Sequence, residues 1–145
     1  TQRLMDTTSS LYVCLLLFTS WVDPSHQIIV FAKQGSTAIL PCKLSDLSNQ
    51  TLTVSWRTIK NKVFERTNNQ TYQGKAHKGR VNIPEDELIK GNCSLVLKHV
   101  KLSDSARYYS YLMKADRNDP INTVQLSVEA EETPEKRRNE RVATL

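Results

Sequence analysis

Cysteine, histidine and carboxylate side chains supply most nucleophiles, proton carriers and metal ligands, and in this chain they stand apart from one another. His26, His77 and His99 lie in separate segments without metal-ligand spacing. Glu85, Asp86 and Glu87 are consecutive, the pattern of a solvated acidic turn and not of a converging carboxylate pair or a calcium loop. No Ser/His/Asp or Cys/His set emerges, so nothing in the sequence points to an enzyme, a metal or a cofactor. The chemistry that the spacing does allow is modification. Asn49-Gln-Thr51, Asn69-Gln-Thr71 and Asn92-Cys-Ser94 are acceptors for N-glycosylation in a secreted protein, with the Cys of the third competing against glycan addition. Three cysteines, Cys14, Cys42 and Cys93, complete the set.

The compartment follows from an apolar run. The eight residues Leu11 to Phe18 are too few to span a bilayer, which needs about 20, but they fit the apolar region of a secretory signal. Met5 is a start for that signal, with residues 1–4 upstream of it, and cleavage falls between Ser20 and His26. We therefore expect a signal peptide over residues 1–25, a folded domain over 26–130 and a charged, flexible tail without periodicity over 131–145. Cys14 leaves with the signal. No second apolar run occurs. The expected location is secreted or on the extracellular side of the plasma membrane, any anchor lying outside this chain.

The formal net charge is +5, unevenly spread. Residues 1–26 hold Arg3 against Asp6 and Asp23, and residues 129–145 hold four basic against five acidic groups, so the middle carries +7. Such a domain attracts acidic protein faces, acidic glycans or nucleic acid. There is no Gly-rich loop, nucleic-acid motif or basic-aromatic block, so nucleic acid is not expected.

The elements that position these residues are short strands with turn signals between them. Gln27 to Ala32 is a first strand. Ala38, Leu40 and Cys42 alternate on a second, Val54 and Trp56 on a third, and Val63-Phe64 begins a fourth. Gly79 to Ile83 opens another, and Cys93, Leu95 and Leu97 alternate after it. Tyr108, Ser110 and Leu112, then Val124, Leu126 and Val128, close the series. Alternation with period two gives each strand one buried and one wet face. With no long helical stretch, the reading is an all-β, two-sheet sandwich.

Leu40-Pro-Cys42, Val54-Ser-Trp56 and Leu102-Ser-Asp104-Ser-Ala-Arg-Tyr108 resemble an immunoglobulin V-type domain over roughly residues 27–130. The resemblance implies a V-type antiparallel sandwich with four structural residues. Trp56 fills the space between the sheets, Tyr108 is the corner tyrosine, and Arg80 pairs with Asp104. The 24 positions from Trp56 to Arg80 leave room for two additional edge strands.

One departure stands out. The family's second cysteine belongs two residues after Tyr108, where this chain has Ser110. Cys93 alternates with Leu95 and Leu97, and the resemblance puts its strand beside that of Cys42. The expectation is a Cys42–Cys93 disulfide within one sheet, against the alternative of two buried thiols. Closing that 51-residue loop is worth about 3–4 kcal/mol. The arrangement is similar to that of the sialic-acid-binding immunoglobulin-type lectins, and Asn92-Cys-Ser-Leu95 looks like their motif. Those lectins place an Arg on the late strand where this chain has Tyr111, which cannot make the bidentate charged contact with a sugar carboxylate. Tyr72-Gln-Gly, Gly79-Arg-Val and Gly91 to Leu97 look instead like the butyrophilin-like and co-stimulatory-ligand group.

The resemblance also locates a partner surface. It puts Asn49, Asn69 and Asn92 in loops at one end, where glycans obstruct binding. The remaining candidate is the outer face of the third, fourth and last two strands. Parity from Trp56, Tyr108 and Ser110 turns Ser55, Arg57 and Ile59 outward, with Tyr109, Tyr111 and Met113 opposite and Gln125 beyond. Lys60, Lys62 and Arg66 are expected on its rim. Tyr, Arg and Met are enriched in interface cores. The expected function is extracellular recognition of a cell-surface protein counter-receptor, or self-association, through this face. A sialylated glycan bound in the manner of a lectin is the alternative.

Overall fold

Each alternating segment becomes a strand because only one of its faces can leave water. The computed structural model describes residues 27–45, 47, 51–132 and 134–143. The expected signal peptide over 1–25 lies outside them. In chain order the elements are β1 (Ile28–Lys33), β2 (Ala38–Leu40), β3 (Thr53–Arg57), β4 (Lys62–Thr67), β5 (Gln70–Gln73), β6 (Val81–Asn82), α1 (Glu85–Ile89), β7 (Leu95–Leu97), β8 (Ala106–Met113), β9 (Asn118–Glu129) and α2 (Pro134–Ala143). One sheet has the order β1-β9-β8-β3-β4-β5 and the other β2-β7-β6. β4 and β5 are the two additional edge strands. The ladder is antiparallel throughout except that β1 runs parallel to β9.

The core lies between the sheets. Trp56, Phe64 and Tyr108 are its largest buried side chains, surrounded by Leu40, Val54, Leu95, Leu97, Val124 and Leu126. Cys42 and Cys93 are bonded, with their Cα atoms 4.9 Å apart. The bond lies along the β2–β7 pairing, where Cys93 N–H also donates to Cys42 O at 3.1 Å. It therefore ties neighbours within one sheet, as the resemblance implied, and joins nothing across the core.

Hydrogen bonds join the sheets instead. Trp56 Nε1 donates to Cys93 O at 2.9 Å. Ser110, standing where a cysteine was expected, donates to Asn122 Oδ1 at 2.5 Å. Asn122 Nδ2 reaches on to Pro41 O at 2.6 Å. Arg66 is the third tie. It points inward from β4 and gives its Nε to Ile83 O and its Nη2 to Asn82 Oδ1. The expectation of Arg66 as a rim cation is thereby corrected: it pairs with Val54, an inward position, and its guanidinium is committed to backbone and amide acceptors.

Two glycines are required by geometry. A side chain at Gly74 would run into the carbonyl oxygen of Lys62, so only glycine lets the chain return against β4, where Gly74 N–H donates to Val63 O at 2.7 Å. Gly91, at φ 92°, stops α1. The acidic turn expected at Glu85 to Glu87 is the first turn of that helix, where carboxylates suit the positive end of the backbone dipole.

Residues Pro134–Ala143, read from composition as an irregular tail, are helical. Proline opens the helix, Glu135 lies in its first turn and Arg141 in its last, all favourable placements. Its described side chains are exposed, so local propensity and not burial makes it a helix. No helix among the described residues is long and apolar enough to cross a membrane.

Candidate functional site

Cross-strand register builds the outer face of the six-stranded sheet row by row. In one row Arg57 of β3 faces Tyr109 of β8, which faces Thr123 of β9. In the next, Tyr72 of β5, Glu65 of β4, Ser55 of β3 and Tyr111 of β8 stand side by side. In the third, Thr67, Thr53 and Met113 align. The structure thus brings Arg57, Tyr109, Tyr111 and Met113 together on two adjacent strands, all half-buried. Ile59 stands just past β3 in the hairpin to β4 and is 89% exposed.

Parity alone misjudged Ser55. It occupies an outward row but is fully buried, because its neighbours Tyr111 and Glu65 close over so small a side chain. Its Oγ and the Nε of Arg57 are enclosed without a hydrogen-bond partner among the described residues. Charge on the face is compensated locally. Lys62 Nζ lies 2.9 Å from Glu65 Oε2 and 5.2 Å from the centre of the Tyr72 ring.

Two strands extend the face beyond the expected residues. β5 adds Tyr72, and β1, docked on β9, adds Ile29 and Phe31, 55% and 68% exposed. Their inward neighbours Ile28 and Val30 pack against the core. The run Gln27 to Ala32 reads as a strand in the sequence, but its continuous apolar residues show neither its alternation nor which sheet it joins.

Three of the four structural residues, Arg80, Asp104 and Tyr108, form a cluster with His77 at the end of the sandwich that β9 leaves, while Trp56 lies in the core. Arg80 holds Asp104 with two hydrogen bonds, 2.7 and 3.0 Å. Burial alone would raise the Asp104 carboxyl, but the Arg80 hydrogen bond, the Lys101 N–H and the Arg80 charge outweigh it and hold the group below the usual carboxylate range. Tyr108 donates its hydroxyl proton to Asp104 O at 2.6 Å. His77 Nε2 lies 3.2 Å from the same phenol oxygen and 3.5 Å from Asp104 Oδ1. The phenol's only proton is already donated, so its oxygen accepts from His77, which places the neutral ring's proton on Nε2. Burial holds the His77 pKa below its ordinary value; Asp104 opposes that shift, and Arg80 and Lys101 reinforce it. Burial, aided by Asp104, pushes the Tyr108 phenol upward. The cluster resembles a proton relay in composition, but every member is spent on backbone or on a neighbour, which makes it a corner brace.

Of the glycan acceptors, Asn69 is exposed in the β4–β5 turn. Asn92 is half-buried, with Nδ2 donating to Glu87 Oε2 and Oδ1 accepting from Ser94 N–H. Asn49 lies outside the described residues. Among the described residues no group of His, Cys, Asp or Glu is arranged to hold a metal ion.

Comparison with known proteins agrees with this architecture. A family model described as the immunoglobulin V-set domain matches residues 27–129. Butyrophilin subfamily 1 member A1 of Bos taurus is 29% identical over 115 residues, 75% of this chain and 21% of that protein, so the chain spans about a fifth of that relative. The crystal structure of the human B7-H4 IgV-like domain superposes with a TM-score of 0.61 at 22% identity, covering 72% of this chain and 94% of that one. The solution structure of the first Ig-like domain from human CD48 antigen superposes with a TM-score of 0.58 at 19% identity, covering 76% of this chain and 88% of that one. The chain belongs to the immunoglobulin V-set domain family.

Proposed function

We propose that this domain is an extracellular recognition module whose outer β9-β8-β3-β4-β5 face docks on a cell-surface protein, either a counter-receptor or a second copy. The observation that carries this reading is the contiguous Tyr109-Tyr111-Met113 row on β8 beside Arg57 of β3, with Ile59 at its border. Tyrosine side chains supply area at low entropic cost, and aromatic, arginine and methionine residues are enriched in interface centres. The ion pair of Lys62 with Glu65 leaves little net charge to repel an apolar partner. Exposed Lys60 remains at the rim to steer an acidic one.

A sialylated glycan is the second reading, favoured by the Cys42–Cys93 pairing. Tyr111 counts against it, because a phenol offers no fixed positive charge to a carboxylate.

A tetramer of the whole chain, used to stain leukocytes before and after sialidase, separates the two. Tyr109→Ala with Tyr111→Ala should weaken binding by about 30-fold, equivalent to about 2 kcal/mol. Far-UV circular dichroism should stay unchanged. Staining that survives the double substitution removes the face from consideration. Staining abolished by sialidase replaces the protein partner with a glycan.

A further inference from the structure

Six exposed cations gather at one end of the domain, and none of them forms an ion pair with a carboxylate among the described residues. Arg80 is the hub of that end: besides Asp104, its guanidinium binds Ala76 O, Lys98 O and His99 O. It thereby fastens the turn at 75–77, which precedes β6, to the connection between β7 and β8. Around this hub stand exposed Lys75 and Lys78 on the first segment and Lys98 and Lys101 on the second. Lys60 on the β3–β4 hairpin and Arg107 at the start of β8 complete the ring. None of the six makes an ion pair with a described residue. Of the acids here, Asp104 is closed by Arg80 and Glu129 faces Lys33 in the β1–β9 register, with Glu131 and Glu132 following β9 out of the domain.

Between these loops runs a groove of about 510 Å³ with Lys60 and Arg107 on its walls. Its remaining lining sets the hydroxyl and amide groups of Thr58, Asn61, Ser103 and Gln125 among apolar surface from Ile59, Ala106 and Tyr109. Cations spaced around a trough of hydrogen-bonding groups match an extended polyanion that is itself rich in hydroxyls. We propose that this end of the sandwich binds a linear sulfated polysaccharide, with Lys60 and Arg107 gripping the chain in the groove and the four other lysines holding sulfates along its path. A nucleic acid fits less well, since the aromatic residues of the groove are the half-buried Tyr109 and the buried Tyr108, with no run of exposed rings for successive bases. The site adjoins the tyrosine face at Ile59, Lys60 and Tyr109 but takes its charge from the loops at the end of the sandwich.

Retention of the whole chain on immobilised heparin tests this, with elution by salt reading the number of ionic contacts. The wild type should bind at about 0.15 M NaCl. Lys60→Glu with Arg107→Glu, and separately Lys98→Glu with Lys101→Glu, should each fall to the flow-through at that salt. Lys43→Glu with Lys90→Glu makes the same charge change at the opposite end and should elute with the wild type. Circular dichroism and the thermal midpoint check that each variant folds. A wild type that flows through overturns the proposal. So do equal shifts in all three variants, which would mean bulk charge alone. Retention on vesicles containing phosphatidylserine without retention on heparin overturns it in favour of a membrane surface.

Discussion

His77 shows what burial does to a single group. Its ring sits against Tyr108 and Asp104 at the sandwich corner, and its pKa lies below the ordinary 6.5 because burial disfavours the cation. A histidine whose folded pKa is depressed contributes stability above its unfolded pKa and loses it as pH falls. Stability should therefore decline as pH drops below about 6.5, before carboxylates begin to titrate. His77→Gln should flatten that limb. Denaturant midpoints at pH 7.5 and 5.5 for both proteins check it, and equal slopes would remove His77 as the cause. Nothing in the spacing of His77 announced this role: it is 31 residues from Tyr108 and 27 from Asp104, and only the fold makes them neighbours.

At the scale of elements, the disulfide and the cross-sheet ties divide the labour. Cys42–Cys93 closes a loop of 51 residues within one sheet. The core between the sheets is held by Trp56, Arg66 and the Ser110–Asn122–Pro41 chain of hydrogen bonds. Cys42→Ala with Cys93→Ala should lower stability by about 4 kcal/mol, mostly by freeing the unfolded chain. The folded state should persist, since the contacts across the core are untouched. Chemical denaturation gives the loss, and retained near-UV dichroism of Trp56 reports the packing. A variant that fails to fold would show that the disulfide also organises the core.

For the molecule as a whole, two surfaces follow from one sandwich. The tyrosine face lies on the broad side of the large sheet, and the cation ring lies at the end where β9 leaves. They share a border at Ile59, Lys60 and Tyr109, while Tyr111 and Met113 belong to the face alone and Lys75, Lys78, Lys98 and Lys101 to the ring alone. Charge reversal at Lys98 and Lys101 should leave tetramer staining unchanged, and Tyr111→Ala with Met113→Ala, both outside the groove, should leave heparin elution unchanged. Surface plasmon resonance of both variants on both ligands checks this. Coupled losses would merge the two surfaces into one.

Alternation and the Cys42, Trp56 and Tyr108 landmarks were readable from the chain alone, because period-two burial and core-filling residues are local signatures; the Arg80–Asp104 pair came from the resemblance those landmarks carry. The outward Tyr109-Tyr111-Met113 row followed from the same parity. Parity fixes a side chain's direction but not what covers it, so Ser55 vanished beneath its neighbours; Arg66, expected on the rim, turned inward because β4 registers it against Val54. The docking of β1 on β9, the Asn122 bridge and the ring of cations around Arg80 join residues tens of positions apart. Those contacts depend on which strands pair and where the loops gather, a long-range choice that only the packed sandwich makes.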